Sequence, residues 1–216
     1  AAYCWGWRKC GQLGYASGNC NFVVVWDNST YPGAVSTDSS SGLADKTVTS
    51  LTNGGYATYS TCAIAHTATP SDARLYCWGT GTSVPTNVSY FNDKTILSVS
   101  IGGAHKCAVA YLTASETAAN AKVYCWGTNQ YGELGNGGLN YTQVAPFAVT
   151  GGQLTCKTAV SVSAGTGMTC ATAYVSGGAE TAANAKAYCW GDNTMGQLGT
   201  GTSVTYSRSP AAVLST

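Results

Sequence analysis

Charge is scarce in this sequence: it amounts to 9% of the 216 residues, and 10 basic against 9 acidic side chains leave a net charge of +1. An average globular chain carries about 25%. These counts hold no basic patch for a phosphate backbone, so nucleic acid is not expected as a partner. Long apolar runs are missing too, and nothing approaches the roughly 20 residues of a membrane span. The chain opens on Ala1-Ala2 and not on a charged-plus-apolar leader, a start compatible with a signal peptide already removed. Histidine occurs only at His66 and His105, and there is no CxxC or CxxCH. Zinc and haem sites are therefore not expected, and neither is any other metal or cofactor.

A catalytic constellation is equally absent. His105 lies beside Lys106 and Cys107 in a strand-like run and reads as a packed or hydrogen-bonded repeat residue, while His66, before Thr67-Ala68-Thr69-Pro70, reads as loop. The acids Asp27, Asp38, Asp45, Asp72, Asp93, Glu116, Glu133, Glu180 and Asp192 are scattered through loops, with no spacing that declares an acid–base pair. Asp192 and Asn193 read as turn formers, with a share in a calcium site as the alternative. No catalytic residue is expected, and the chain reads as a non-enzyme.

What is abundant is Ser, Thr, Asn, Gly and cysteine. Ten cysteines stand at positions 4, 10, 20, 62, 77, 107, 125, 156, 170 and 189. An even count in a polar, charge-poor chain points to disulfides and to an extracellular or cell-surface location. Asn28-Ser29-Thr30, Asn87-Val88-Ser89 and Asn140-Tyr141-Thr142 are glycosylation sequons.

Self-similarity decides the fold. Tyr-Cys-Trp-Gly begins at Tyr3, Tyr76, Tyr124 and Tyr188, and ETAANAKVYCWG at Glu116 returns at Glu180 with one change. Lys-Thr segments at Lys94 and Lys157, with a looser one at Lys46, lead through glycines to Cys107-Ala108, Cys170-Ala171 and Cys62-Ala63. Gly-Gln/Glu-Leu-Gly follows three of the Trp-Gly pairs, at Gly11, Gly132 and Gly196, and two of these tails continue to Pro146 with Val149 and Pro210 with Val213. The unit is thus a Lys-Thr strand, a Gly-rich turn, a Cys-Ala strand, a loop, a Tyr-Cys-Trp-Gly strand and a tail. Leu97, Val99 and Ile101 alternate at a period of two, as do Val160, Val162 and Ala164, which argues for short strands. ETAANAK is too short for a free-standing helix and reads as a hairpin loop with at most one turn. The repeats divide the chain into a partial unit at 1–45 with an irregular insertion, then units at 46–92, 93–155 and 156–216.

Neighbouring antiparallel strands bring Cys62 opposite Cys77, Cys107 opposite Cys125 and Cys170 opposite Cys189, with spacings of 15, 18 and 19 absorbed by the loops. Cys10 and Cys20 form a local staple. Cys4 and Cys156 remain, to pair with each other or, for Cys4, with a cysteine of another subunit; the first is favoured.

The stretch YCWGDNTMGQLGTGTSVTYSRSPAAV from Tyr188, its counterpart from Tyr124, and Gly-Gly-Ala-His-Lys-Cys-Ala ending at Ala108 resemble the repeats of the regulator of chromosome condensation family, in a secreted, cysteine-rich variety of bacterial or archaeal kind. The resemblance implies an all-β fold of propeller-type four-stranded antiparallel blades, with the Gly-Gln-Leu-Gly loops setting blade spacing. Trp5, Trp78, Trp126 and Trp190 read as packing between blades. Family members close a ring of about seven blades; this chain offers about three and a half repeats, an open array or one completed between molecules. The leading expectation is a secreted structural subunit of an extracellular assembly such as a filament or surface appendage, self-associating through exposed repeat edges. The alternative is a binding module that recognises a protein or glycan through loops such as 112–121 and 175–185. Nucleotide exchange on a small GTPase, a familiar activity of the family, fits neither the cysteines nor any matched residue.

Overall fold

The structure, a computed structural model, describes residues 2–7, 13, 28–35, 39–54, 59–79, 82–139, 141–175 and 181–214. Its described strands fall into three four-stranded antiparallel sheets and one two-stranded sheet. The first four-stranded sheet is β3 (Thr47–Asn53), β4 (Ser60–His66), β5 (Arg74–Gly79) and β6 (Thr82–Asn87); the second is β7 (Lys94–Ile101), β8 (His105–Leu112), β9 (Lys122–Thr128) and β10 (Thr142–Ala148). The third is β11 (Thr158–Ala164), β12 (Met168–Tyr174), β13 (Lys186–Asp192) and β14 (Tyr206–Ala212), and β1 (Tyr3–Trp7) pairs with β2 (Asn28–Ala34) alone. Chain order is spatial order within each blade, as in an antiparallel meander. The ETAANAK loops each hold a single 3-10 turn, Ala118–Asn120 and Ala182–Asn184, with Thr117 paired to Asn120 and Thr181 to Asn184.

The first and second sheets pack on both faces. Ile64 and Leu75 of the first sheet pack with Ile96, Ala108 and Tyr124 of the second. On the opposite face of the second sheet, Val109 and Val123 pack with Ala171, Tyr188 and Trp190 of the third. Ala63, Tyr76 and Trp78 of the first sheet pack with Ala2 and Val35, the residues just before β1 and just after β2. Trp78 and Trp190 are fully buried in these seams and Trp126 is half-buried. Main-chain contacts add to the apolar ones: Ala73 O accepts Ile96 N at 3.2 Å and Ala121 O accepts Ala159 N at 2.9 Å. The threonines of the Lys-Thr segments repeat the pattern, Thr95 Oγ1 donating to Ser71 O and Thr158 Oγ1 to Ala119 O. The lysines of those segments lie over the tyrosine rings of their own blades, Lys46 over Tyr76 at 5.6 Å, Lys94 over Tyr124 at 5.8 Å and Lys157 over Tyr188 at 5.4 Å.

The glycine that closes Tyr-Cys-Trp-Gly has a steric cause. Gly79, Gly127 and Gly191 adopt φ of 118°, 109° and 102°, and a Cβ at Gly191 would stand 2.4 Å from Gly167 O. Gly191→Ala is expected to lower stability by about 2 kcal/mol. Gly151→Ala, where a Cβ meets nothing within 4 Å, should be nearly neutral, and urea denaturation of the two variants side by side checks the contrast.

Three expectations are corrected. The period-two reading groups Leu97 with Val99 and Ile101, but a bulge between Ile96 and Ser98 takes Leu97 out of the ladder and leaves it 41% exposed while Ile96 is buried. The segment 21–45, read as irregular, contains β2, which runs beside β1 as the tail strands β10 and β14 run beside β9 and β13. His66, read as loop, is the last residue of β4 and faces Thr47.

Candidate functional site

Where the second and third sheets meet, one loop of the earlier blade grips the later one. In the second sheet this loop follows β9 and is pinned from inside by Asn129, whose Oδ1 accepts Leu134 N at 3.0 Å and whose Nδ2 donates to Gly138 O at 3.0 Å. Leu134 is thereby buried, and the loop turns its backbone toward the third sheet. Gly135 (φ 69°) lies against Trp190, where a Cβ would stand 2.8 Å from Nε1, and Gly137 N donates to Arg208 O at 2.9 Å. Glu133 O accepts both Trp190 Nε1 and Thr169 Oγ1, each at 2.8 Å.

His105 joins this seam. Its Nε2 lies 2.7 Å from Thr169 Oγ1. That hydroxyl spends its one proton on Glu133 O, so His105 Nε2 carries the ring proton and donates. Nδ1 is then the bare nitrogen, buried without a partner. Burial pushes the His105 pKa down to about 4, lowers that of the neighbouring Lys106, and raises that of Glu133.

The third sheet carries the same loop. Asn193 Oδ1 accepts Leu198 N at 3.0 Å, and its Nδ2 donates to Val204 O at 2.8 Å. Met195 N donates to Gln197 Oε1 at 2.8 Å as Tyr131 N donates to Glu133 Oε2 at 2.6 Å. The surroundings differ. Glu133 and Gly135 are buried under the third sheet, whereas Met195 is 89% exposed and a Cβ at Gly196 (φ 74°) meets nothing within 4 Å.

The other residues singled out in the sequence have local roles. Asp192 Oδ1 accepts Thr194 N at 3.0 Å, a turn contact. Asp72 accepts Thr67 Oγ1 and the amides of Ala68 and Thr69, and these hydrogen bonds hold its carboxyl below the usual carboxylate range. Asp93 pairs with Lys94 at 2.7 Å. Among the described residues no three His, Cys, Asp or Glu side chains gather into a metal site, and no helix is long and apolar enough to cross a membrane. Asn87 is half-buried and hydrogen-bonded to Tyr76, only the backbone of Asn28 is described, and Asn140 lies outside the described residues.

Disulfides join Cys62 to Cys77, Cys107 to Cys125 and Cys170 to Cys189, each between directly opposed residues of the second and third strands of a blade. The expected Cys4–Cys156 bond is not formed, and both thiols are free. Cys4 packs among residues that include Val35 and Ala63 beside the first sheet. Cys156 is exposed at the turn into the third, beside Lys122 and Val149 of the second. Two whole blades therefore separate them. Cys10 and Cys20 lie outside the described residues.

These features define a propeller-type array of disulfide-stapled, four-stranded blades. Residues 120–172 match the family described as Regulator of chromosome condensation (RCC1) repeat. Among solved structures the fold is similar to human WBSCR16, with TM-score 0.63, 16% identity, and coverage of 97% of this chain and 51% of that one. It is also similar to yeast RCC1 (Prp20), solved with Kap60 bound, with TM-score 0.67, 18% identity and coverage of 99% and 45%. Prp20p from Saccharomyces cerevisiae, described together with its binding to Gsp1p and histones, gives TM-score 0.62, 17% identity and coverage of 99% and 46%. The chain spans about half the length of these structures. No curated protein matches it in sequence.

Proposed function

We propose that this chain works outside the cytoplasm as a non-catalytic contact-making module, a structural subunit of an extracellular assembly such as a filament or surface appendage. The observation that carries the reading is the outer face of the third sheet. On the second sheet the corresponding face, with Cys107, Val109 and Val123, is buried by the blade that follows. On the third, Cys170, Thr172 and Ala187 are partly exposed, and a partner surface is the natural cover. The three disulfides favour an oxidising compartment. Yeast Prp20, similar in fold, is described as binding Gsp1p and histones, which makes protein contact a reasonable use of the scaffold.

A second reading has its own support. The Thr117–Asn120 and Thr181–Asn184 turns are exposed and alike in sequence and in hydrogen bonding. Surface residues need no such identity for packing, so these loops suit recognition of a protein or glycan. Negative-stain microscopy with light scattering separates the two: ordered assemblies favour the structural subunit, and a monomer that retains a defined partner favours recognition. Non-reducing peptide mapping of natively produced protein should yield linked peptides for all three cysteine pairs; free Cys107 and Cys125 would remove the extracellular assignment.

A further inference from the structure

Tyrosine exposure separates β1 from the strands it repeats. Tyr76, Tyr124 and Tyr188 are 5%, 6% and 3% exposed, each covered by the preceding blade and by its own lysine, whereas Tyr3 is 57% exposed. The two-stranded sheet is otherwise built like half a blade. Its pairs Tyr3↔Ala34, Cys4↔Gly33, Gly6↔Ser29 and Trp7↔Asn28 repeat Tyr188↔Ala212, Cys189↔Ala211, Gly191↔Ser207 and Asp192↔Tyr206 position for position. β1 and β2 are thus a third and a fourth strand.

The gripping loop holds third and fourth strands and touches the second at Thr169. The second-sheet loop meets Trp190 of β13 and Arg208 of β14, and just beyond β10 Gly152 lies against Pro210 while Gln153 Oε1 accepts Ala212 N at 2.6 Å. The third-sheet loop has the same Asn-pinned shape and, among the described residues, nothing in its grip.

The inner half of the third sheet's outer face tells what size of partner fits. In the second sheet, Ser98 and Ser100 accept the main-chain amides of Val162 and Ala164 from the next first strand. In the third, Ser161, the counterpart of Ser98, instead pairs with Thr172 at 2.7 Å. Thr172 stands where the earlier sheets have Ile64 and Val109, and Ala187 where they have Leu75 and Val123. Ser161 is satisfied within its own sheet and this half of the face is poor in apolar area, so a first or second strand has less to hold there. A two-stranded partner leaves that half in water; a complete blade would bury it.

We infer that copies of this chain associate head to tail, the third sheet's 193–201 loop of one copy closing on the β1–β2 sheet of the next. The interface rests on the contact-making function proposed above and names its partner as a second copy. It is heterologous, so each copy keeps one free face of each kind and growth is open-ended.

Complementation tests this on the full chain. Tyr3→Asp and Met195→Asp change exposed side chains on opposite faces, and unchanged circular dichroism and melting verify folding. Wild-type protein should grow in mass with concentration by sedimentation and light scattering. Each variant alone should associate at least tenfold more weakly, and an equimolar mixture should form a one-to-one dimer through the single intact pair of faces. Oligomers that both variants leave intact, or variants that remain monomeric when mixed, would overturn this interface while leaving the contact-making function standing. Wild-type protein that stays monomeric at every concentration would overturn the interface and the assembly reading together, with recognition through the 117–121 and 181–185 loops then the surviving use.

Discussion

Trp190→Ala is expected to lower the unfolding free energy by about 4 kcal/mol. The indole is fully buried in the seam between the second and third sheets and donates Nε1–H to Glu133 O. Truncation removes aromatic area from both sheets and leaves a cavity walled by Gly135, which has no side chain to refill it. The carbonyl is not orphaned, because Thr169 Oγ1 also donates to it, so the loss is mainly packing. Trp190→Phe retains most of that packing and should lose closer to 1 kcal/mol for the hydrogen bond and residual misfit. Trp126→Ala, at a half-buried site, should fall well short of Trp190→Ala. Denaturant titrations followed by circular dichroism give all three, and equal losses at Trp190 and Trp126 would contradict the seam as the main store of stability.

Acid should weaken the same seam. The folded pKa of His105, at about 4, is below the unfolded value of 6.5, so the folded state holds the neutral ring while the unfolded state takes up a proton. Above about pH 6.5 the residue contributes no pH dependence. As pH falls from about 6.5 to 4 stability declines, by about 3 kcal/mol in full, and below 4 the decline from this residue ends. The physical cost is a charge on Nδ1, which has no partner, between two packed sheets. His105→Gln keeps a donor for Thr169 and cannot titrate, so it should flatten the pH 4 to 6.5 limb of the stability curve. An unchanged slope in that variant would assign the acid sensitivity elsewhere.

The architecture was readable because its signal is repeated. Four copies of Tyr-Cys-Trp-Gly and the Lys-Thr and Cys-Ala segments define strands in order, and variable loops between them do not disturb which strands are neighbours. A bulge has no such signal: one extra residue at Leu97 shifts the phase of burial without altering the alternation of residue types around it. The strand β2 had a signal that went unused, since Pro32-Gly33-Ala34-Val35 echoes Pro146-Phe147-Ala148-Val149 and Pro210-Ala211-Ala212-Val213. Its distance from the first Tyr-Cys-Trp-Gly concealed the match. The open surface was the least legible part, because Met195 and Tyr131 occupy equivalent positions and only the presence of a following blade makes their surroundings differ. Pairing Cys4 with Cys156 by elimination failed for a spatial reason, as remoteness across two blades leaves no trace in a count of cysteines.

The carbonyls of Ala73 and Ala121 bear on how the chain folds. Each lies ahead in sequence of the amide it receives, Ile96 N and Ala159 N, so in these two contacts the acceptor is made before its donor. A blade arriving from a ribosome or through an export pore finds its docking site already in place and needs only the blade before it. Its cysteines, separated by 15, 18 or 19 residues, can be oxidised before the next pair emerges. Folding in the direction of synthesis thus protects the bridges from mispairing, with the order of emergence taking the place of a selective partner.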